Sequence, residues 1–373
     1  MQSFDVLILG AGIIGSACAL ECVQAGLRVG IVEPAVPAGA ATSAGMGHLV
    51  AMDDSPAQLA LSHYSRSLWR SLASSLPAAV EYEETGTLWI AADDEELAEV
   101  YAKQRTYTAS GIATETLDAT ALAQAEPNLR PGLAGALLVS HDGVIYPPAA
   151  AGHFLTMALR DGAKLIRGHA ALSAGYGLVA LEDGTKLSSD RIVLATGADR
   201  RLVPQLPIQK RKGHLVITDR YPGYVRHQLV ELGYLKSAHK LASDSVAFNI
   251  QPRRTGQLLI GSSRQYGNED PAADPAILRQ MLLRAEAYMP SLGQLSGIRV
   301  WTGFRAASPD KLPYIGPTVD PTVFLAMGFE GLGITNAPGT ARLLADHLLR
   351  RESAIDPTPY LPSRIPVAEP QHA

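Results

Sequence analysis

The sequence predicts an α/β fold in which a doubly wound domain is interrupted by a second, α+β domain built on an antiparallel sheet. A strand, a glycine turn, a helix and another strand follow one another within residues 4–34. Segments near 145–205 and 305–350 have a similar pattern of alternating strands and helices. The stretches between these segments resemble short strands joined by turns. Such alternation is typical of one domain inserted into another.

The first unit carries a dinucleotide-binding fingerprint. The apolar run Asp5–Leu9 leads into glycines at positions 10, 12 and 15, and the next strand closes on Glu33. Gly10 permits the tight turn, Gly12 lets a pyrophosphate approach the backbone, and Gly15 lets the helix pack closely on the strand. The helix N-terminus attracts phosphate, and Glu33 can accept hydrogen bonds from a ribose diol. The motif does not distinguish FAD from NAD, and a βαβ unit with chance glycines is the alternative.

Periodicity and turn residues predict the remaining elements. A loop of small residues should occupy 34–47. The predicted helices cover 55–72, 95–110, a stretch ending at 160, 271–288 and 336–349. A hairpin is predicted over 82–91, and strands over 135–139, 163–168, 177–181, 191–195, 212–219, 245–251, 257–262, 297–304 and 323–327. The predicted domains are 1–80, 145–205 and 305–373 for the first, and 81–144 and 206–304 for the second.

Composition narrows the class of protein. The 373 residues are 47% hydrophobic and 18% charged, which indicates a globular chain. The net charge of −4 gives no support for nucleic-acid binding. No apolar run has transmembrane length and no secretory signal is recognised, so we expect a cytoplasmic protein, with peripheral association at the inner face of the membrane left open. The two cysteines, Cys18 and Cys22, exclude a disulfide framework and a cysteine-rich metal site; we expect no metal.

Over nearly its whole length the chain resembles the FAD-dependent family of glycine oxidases, sarcosine oxidases and D-amino acid dehydrogenases. After the glycine turn, similar motifs occur in the family's order at 41–47 (ATSAGMG), 195–198 (ATGA), 303–316 (GFRAASPDKLPYIG) and 328–338 (GFEGLGITNAP). The resemblance implies a Rossmann-like FAD-binding domain with an inserted α+β substrate domain. It also implies noncovalent FAD, because no cysteine follows Cys22 to tether the flavin.

The resemblance also implies roles for the matching positions. Arg305 matches the arginine that holds the substrate carboxylate, a task suited to a planar guanidinium; a surface ion pair is the alternative. Residues 331–335 match the turn and helix start that face the flavin pyrimidine. The residues expected to contact FAD are Gly10, Gly12, Ile14, Gly15, Glu33, Pro34, Ala41, Thr42, Ser43, Met46, Gly47, Ala171, Thr196, Gly197, Arg305, Gly331, Leu332, Gly333, Ile334 and Thr335.

Other candidates rest on position alone. His48 follows the small-residue loop and could lie over the flavin as a catalytic residue, with a packed or solvent-facing histidine as the alternative. Tyr234 is the third catalytic candidate besides Arg305 and His48. Tyr266, Tyr314 and Lys212 could also face the pocket, although core packing for the tyrosines and a solvated side chain for the lysine are the favoured interpretations.

The expected reaction is FAD-dependent dehydrogenation of the C–N bond of a small amino or imino acid, giving an imine. Residues 210–215 and 233–236 look most like the bacterial branch that includes D-hydroxyproline dehydrogenases, which favours cis-4-hydroxy-D-proline or another D-imino or D-amino acid. A glycine or sarcosine oxidase, an NAD-dependent dehydrogenase and a noncatalytic FAD subunit of a larger complex stay as alternatives. The electron acceptor could be oxygen, a quinone or a partner subunit, so a hetero-oligomer stays open.

Overall fold

In the computed structural model, which describes residues 2–233 and 244–364, most strands belong to two large sheets. The strands are β1 (Gln2–Leu9), β2 (Val29–Glu33), β3 (His48–Leu49), β4 (Thr87–Ala91), β5 (Thr114–Asp118), β6 (Gly135–Val139), β7 (Gly143–Val144), β8 (Lys164–Arg167), β9 (Ala171–Gly175), β10 (Leu178–Leu181), β11 (Lys186–Leu194), β12 (Gln209–Arg220), β13 (Gln228–Glu231), β14 (Ser245–Pro252), β15 (Gln257–Tyr266), β16 (Gly297–Ala307), β17 (Tyr314–Pro317) and β18 (Val323–Met327). The helices are α1 (Ile13–Gln24), α2 (Ala40–Ala44), α3 (Pro56–Leu72), α4 (Asp94–Ala109), α5 (Ala119–Ala125), α6 (Pro147–Arg160), α7 (Pro275–Tyr288) and α8 (Gly333–Leu349).

The first sheet has the strand order β17-β18-β11-β1-β2-β8, and the β9–β10 hairpin adds to β11. Strands β18, β11, β1, β2 and β8 run parallel, and β17 is antiparallel to its neighbour. Alternate residues of β1 belong to two hydrophobic cores, one on each face of the sheet. Ile8 packs in the core that contains α1, α6 and α8, and Leu7 and Leu9 pack in the core on the opposite face. The carboxyl ends of β1, β2 and β11 therefore meet at one edge, the usual ligand-binding edge of such sheets.

The second sheet has the order β16-β12-β15-β14-β13-β4-β6-β5, and its pairs are antiparallel except β13 with β4. Helix α7 covers one face, where Phe248 stacks on Tyr288 with ring centroids 4.5 Å apart. At the sheet edge, α2 lies directly against β16, because a Cβ added to Gly303 would be 2.4 Å from the Ala44 Cβ. The face opposite α7 is thereby turned towards the first sheet.

Several sequence predictions need correction. The hairpin over 82–91 is wrong: only Thr87–Ala91 forms a strand, and it pairs with β6 and with the distant β13. The loop over 34–47 contains the short helix α2. Helix α7 begins at Pro275, because Asp274 caps its first turn, and α8 begins at Gly333 instead of 336. Strand β16 continues to Ala307 in the second sheet, across the predicted 304/305 boundary; the domain division itself stays a prediction.

Candidate functional site

A cavity of about 800 Å³ is lined by residues of both sheets. From the first sheet its wall includes Gly10 and Glu33, at the carboxyl edge. From the second sheet its wall includes Trp89, Gln228 and Asn249. Its volume is at the upper end of the range for pockets that bury small ligands and cofactors.

The glycine turn after β1 is packed so closely that it has no room for side chains. Gly10 has a φ of +110°, and a Cβ there would lie 2.5 Å from the Ala195 carbonyl oxygen. A Cβ on Gly15 would lie 1.9 Å from the carbonyl oxygen of Gly10. The Thr42 hydroxyl accepts a hydrogen bond from the backbone N–H of Ile13 at 3.1 Å, so α2 caps the start of α1. The helix start and the Thr42 hydroxyl thus form one wall of the cavity.

Glu33 is fixed at the end of β2 by two backbone donors. Its Oε2 accepts from the Ala11 N–H at 2.8 Å, and its Oε1 accepts from the Ala35 N–H at 2.9 Å. A carboxylate has about four acceptor positions. The side chain can therefore accept from a ribose diol while it keeps both backbone bonds.

The start of α8 forms another part of the wall. Gly331, with a φ of +99°, and Leu332 lead into the helix. The Thr335 hydroxyl is hydrogen-bonded within the protein: it donates to the His48 carbonyl oxygen at 2.8 Å and accepts from the Val50 N–H at 3.4 Å. Trp69 supports the same turn by donating from Nε1 to the Thr335 carbonyl oxygen at 3.0 Å. Thr335 thus holds β3 against the helix start.

His48 lines the cavity, but its ring is not solvated. Its Nε2 is buried and has no hydrogen-bond partner among residues 2–233 and 244–364. Burial, with the positive charge of Arg305 as the second cause, lowers the pKa of His48 to about 3. The imidazole is therefore neutral at physiological pH and is a poor proton acceptor there.

Arg305 projects from β16 into the cavity through a gap between two glycines. Its Nη1 donates to the Ser263 carbonyl oxygen at 3.0 Å. A Cβ on Gly213 would lie 2.4 Å from that Nη1, and a Cβ on Gly331 would lie 3.1 Å from the Arg305 Cδ. The absence of side chains at these two positions is what gives the guanidinium its place.

Several charged side chains lie beside the gap that Arg305 occupies. Arg211 pairs with Arg305 across β12 and β16, and its guanidinium forms an ion pair with Glu330. Burial raises the pKa of Glu330 from its ordinary value, and the positive charge of Arg211 opposes that rise most strongly. Lys311 and Arg264 also line the cavity, as does Asp54, which is ion-paired with Lys311. With Arg305, this part of the wall has four cations against the carboxylates of Glu330 and Asp54, a positive balance that suits an anion.

Most of the sequence-predicted site residues come together in the cavity wall: Gly10, Gly12, Ile14, Glu33, Pro34, Ala41, Thr42, Met46, Gly47, His48, Ala171, Thr196, Gly197, Arg305, Gly331, Leu332, Gly333, Ile334 and Thr335. Gly15 lies behind the wall, where it packs α1 on β1. Ser43 is exposed outside the wall and donates to the Ala40 carbonyl oxygen at 3.0 Å. Tyr234 lies outside the described residues.

The structure gives the settings of four further candidate side chains. The Thr196 hydroxyl donates to the Asp199 carbonyl oxygen at 2.5 Å, so the side chain bonds its own turn. Lys212 is buried away from the cavity and donates to the Ala272 carbonyl oxygen at 2.6 Å. Tyr314 is fully buried, and the Tyr266 hydroxyl accepts from Arg211 Nη1 at 3.2 Å; neither tyrosine lines the cavity.

Sequence reasoning missed Gly213 and the polar residues on the second sheet. Trp89, Gln228, Asn249 and Ser262 all line the cavity. They belong to short strands whose local pattern does not reveal which face is covered by a helix. Only the pairing of those strands could have identified them.

The geometry fits FAD. The close-packed glycine turn, the acid at the end of β2 and the start of α1 match the needs of an adenosine diphosphate group. The start of α8 lies in the same cavity wall, where its positive dipole end suits an isoalloxazine that gains negative charge on reduction. Both cysteines are buried in α1 outside the wall. Fold and site together define a flavin-dependent oxidoreductase.

Comparisons with known proteins support the assignment to flavin-dependent oxidoreductases. Residues 5–347 match the family model described as FAD dependent oxidoreductase, and the chain belongs to this family. The glycine oxidase of Pseudomonas aeruginosa is 28% identical over 393 residues, covering 97% of this chain and 99% of its own. The crystal structure of glycine oxidase from Geobacillus kaustophilus superimposes with a TM-score of 0.88 at 26% identity, covering 98% of this chain and 100% of that one. L-proline dehydrogenase from P. horikoshii, at 21% identity and a TM-score of 0.85, covers 97% of this chain and 98% of its own and shares the fold.

Among the described residues, none of the helices combines the length and the apolar character that a membrane span needs.

Proposed function

We propose that this enzyme oxidises the C–N bond of a small amino or imino acid whose carboxylate binds Arg305. The observation that carries the proposal is the place of the Arg305 guanidinium, between Gly213 and Gly331 in the wall of the cavity. A guanidinium has five N–H donors in a planar fork, so it can bind a carboxylate while it stays anchored on Ser263. The relatives named glycine oxidase support the same chemical class.

In this proposal the residues of the chain bind and orient the reactants. Glu33 and the glycine turn would hold the adenosine end of FAD, and the start of α8 would face its flavin end. Bound FAD supplies the electron-accepting chemistry at the substrate α-carbon. His48 stays neutral beside Arg305 and therefore adds no charge that would compete for the carboxylate.

The finer substrate assignment rests on resemblance. We favour cis-4-hydroxy-D-proline, or another D-imino or D-amino acid, because residues 210–215 resemble that dehydrogenase branch. Glycine or sarcosine oxidation with oxygen is the second candidate, and the 28% identity to a glycine oxidase favours it. A noncatalytic FAD subunit would bind the cofactor but would not be reduced by any amino acid.

The test is anaerobic bleaching of the flavin absorbance. The purified protein is mixed with D-amino acids, L-amino acids, glycine, sarcosine and D- and L-forms of proline and 4-hydroxyproline. Rapid bleaching by one member of the panel, and none by its decarboxylated amine, is the expected result. If every amino and imino acid leaves the spectrum unchanged, the proposed function is wrong. Reoxidation on admitting air then separates an oxidase from a dehydrogenase that needs another acceptor.

A further inference from the structure

Three polar side chains form part of the cavity wall on the second sheet, away from the glycine turn. They are Trp89 on β4, Gln228 on β13 and Asn249 on β14, with exposed fractions of 2%, 1% and 8%. Apolar side chains, including Val230 and Leu215, line the same region. The three therefore lie in a setting that excludes bulk water.

Polar atoms of all three lack partners in the protein. Trp89 Nε1, Gln228 Oε1 and Asn249 Oδ1 make no hydrogen bond to any residue in 2–233 or 244–364. Buried polar groups in native proteins are nearly always hydrogen-bonded, because an unpaired one is destabilising. His48 Nε2 and Ser262 Oγ in the cavity wall are unpartnered too, but Trp89, Gln228 and Asn249 lie on adjacent strands, which indicates that a ligand group binds among them.

The strand register places the three side chains together. Val230 pairs with Trp89 across β13 and β4, and with Asn249 across β13 and β14, so these three residues lie abreast on one face. Gln228 is two residues before Val230 on the same strand and faces the same side. Gln228 is thus a diagonal neighbour of both Trp89 and Asn249, at a separation of about 7–8 Å that a small polar group can bridge. Trp89 and Asn249 lie on either side of β13, two strand spacings or about 9.5 Å apart.

We propose that Trp89, Gln228 and Asn249 form a subsite for a hydroxyl group on the substrate, at the end remote from the carboxylate. This inference rests on the proposed function and names the substrate class. The unpartnered atoms are one donor, Trp89 Nε1, and two acceptors, Gln228 Oε1 and Asn249 Oδ1. An uncharged hydroxyl can accept from the indole N–H and donate its single proton to one of the two amide oxygens. Hydroxylated imino or amino acids are therefore the preferred substrates, and glycine and sarcosine leave the subsite unfilled.

The first experiment uses the unmodified holoenzyme. Anaerobic flavin reduction is followed with 4-hydroxyproline and with proline of the same configuration at the α-carbon, and likewise with serine and alanine. We expect the reduction rate constant divided by the dissociation constant to favour the hydroxylated member of at least one pair by about 100-fold or more, because a site built to bind a hydroxyl discriminates strongly against its absence.

The second experiment asks which residues supply this preference. Gln228→Leu and Asn249→Leu keep similar side-chain volumes and remove the amides, and each should reduce the preference for the hydroxylated substrate at least tenfold. Gln124→Leu, an exposed glutamine on α5, is the matched control and should keep the parent preference. Measured FAD content shows that each variant is loaded.

The outcomes separate the two proposals. If amino or imino acids reduce the flavin but hydroxylated and unhydroxylated members do so equally, the hydroxyl subsite is refuted and the proposed function stands. If both leucine variants keep the full preference, the assignment to Gln228 and Asn249 is refuted. If nothing in the panel reduces the flavin, the proposed function itself fails.

Discussion

Replacing Gly213 with alanine should impair the enzyme by displacing Arg305. Gly213 has no left-handed backbone conformation, so alanine fits the strand itself. Its Cβ, however, would lie 2.4 Å from Arg305 Nη1 and 3.0 Å from Cζ, whereas ordinary contacts begin near 3.4 Å. The guanidinium must therefore move by roughly 1 Å, and a misplacement of that size can reduce a rate by about 100-fold.

The assay is stopped-flow anaerobic flavin reduction, with FAD content measured beside it. We expect Gly213→Ala to retain FAD and to lose about 100-fold in the reduction rate constant divided by the substrate dissociation constant. Gly152→Ala is the control, since a Cβ at that position on α6 meets nothing within 4 Å. It should leave reduction unchanged and stabilise the helix slightly. Parent-like reduction by Gly213→Ala would refute the placement of Arg305 or its role.

Three further predictions concern the cofactor and pH. Glu33→Ala should weaken FAD binding by about 1–3 kcal/mol in a titration of apoprotein, because a charge-assisted acceptor is lost; an unchanged affinity would mean that the fingerprint has been misread. Acid precipitation should release all the flavin, since both cysteines are buried outside the cavity; yellow colour in the pellet would contradict noncovalent binding. His48 has its pKa lowered to about 3 by burial, so between about 6.5 and 3 the unfolded chain binds a proton there that the folded chain does not. In urea unfolding the parent should therefore lose stability faster than His48→Gln as the pH falls from 6.5, and parallel curves would count against a buried neutral ring.

The parts of the site that follow from local sequence were predictable. Gly10, Gly15 and Glu33 are constrained by a turn, a close helix–strand contact and a strand end, all within one βαβ unit. The family resemblance pointed to Arg305, which lines the cavity and lies on a strand that crosses a predicted domain boundary; its role stays a prediction.

The parts that depend on distant pairing were not predictable. Thr335 matched a flavin-contacting position, but its hydroxyl is used to join β3 to α8, a contact between residues 287 apart in the chain. Lys212 attracted attention beside Gly213, yet the glycine makes room for Arg305 and the lysine is buried elsewhere. Asn249 faces the cavity because of strand register across the second sheet, which a local pattern does not reveal.

The most direct test of the central claim compares an amino acid with its decarboxylated amine in the parent and in Arg305→Ala. Loss of the guanidinium leaves a desolvated carboxylate unpaired, which should destabilise the transition state by about 3–5 kcal/mol, or roughly 10²–10⁴-fold in rate. Arg305→Lys should also fail, because a point charge does not reproduce the two parallel hydrogen bonds. The account predicts that the parent strongly prefers the amino acid and that Arg305→Ala loses this preference at normal FAD content. Equal preference in both proteins, or a parent that favours the amine, would contradict it.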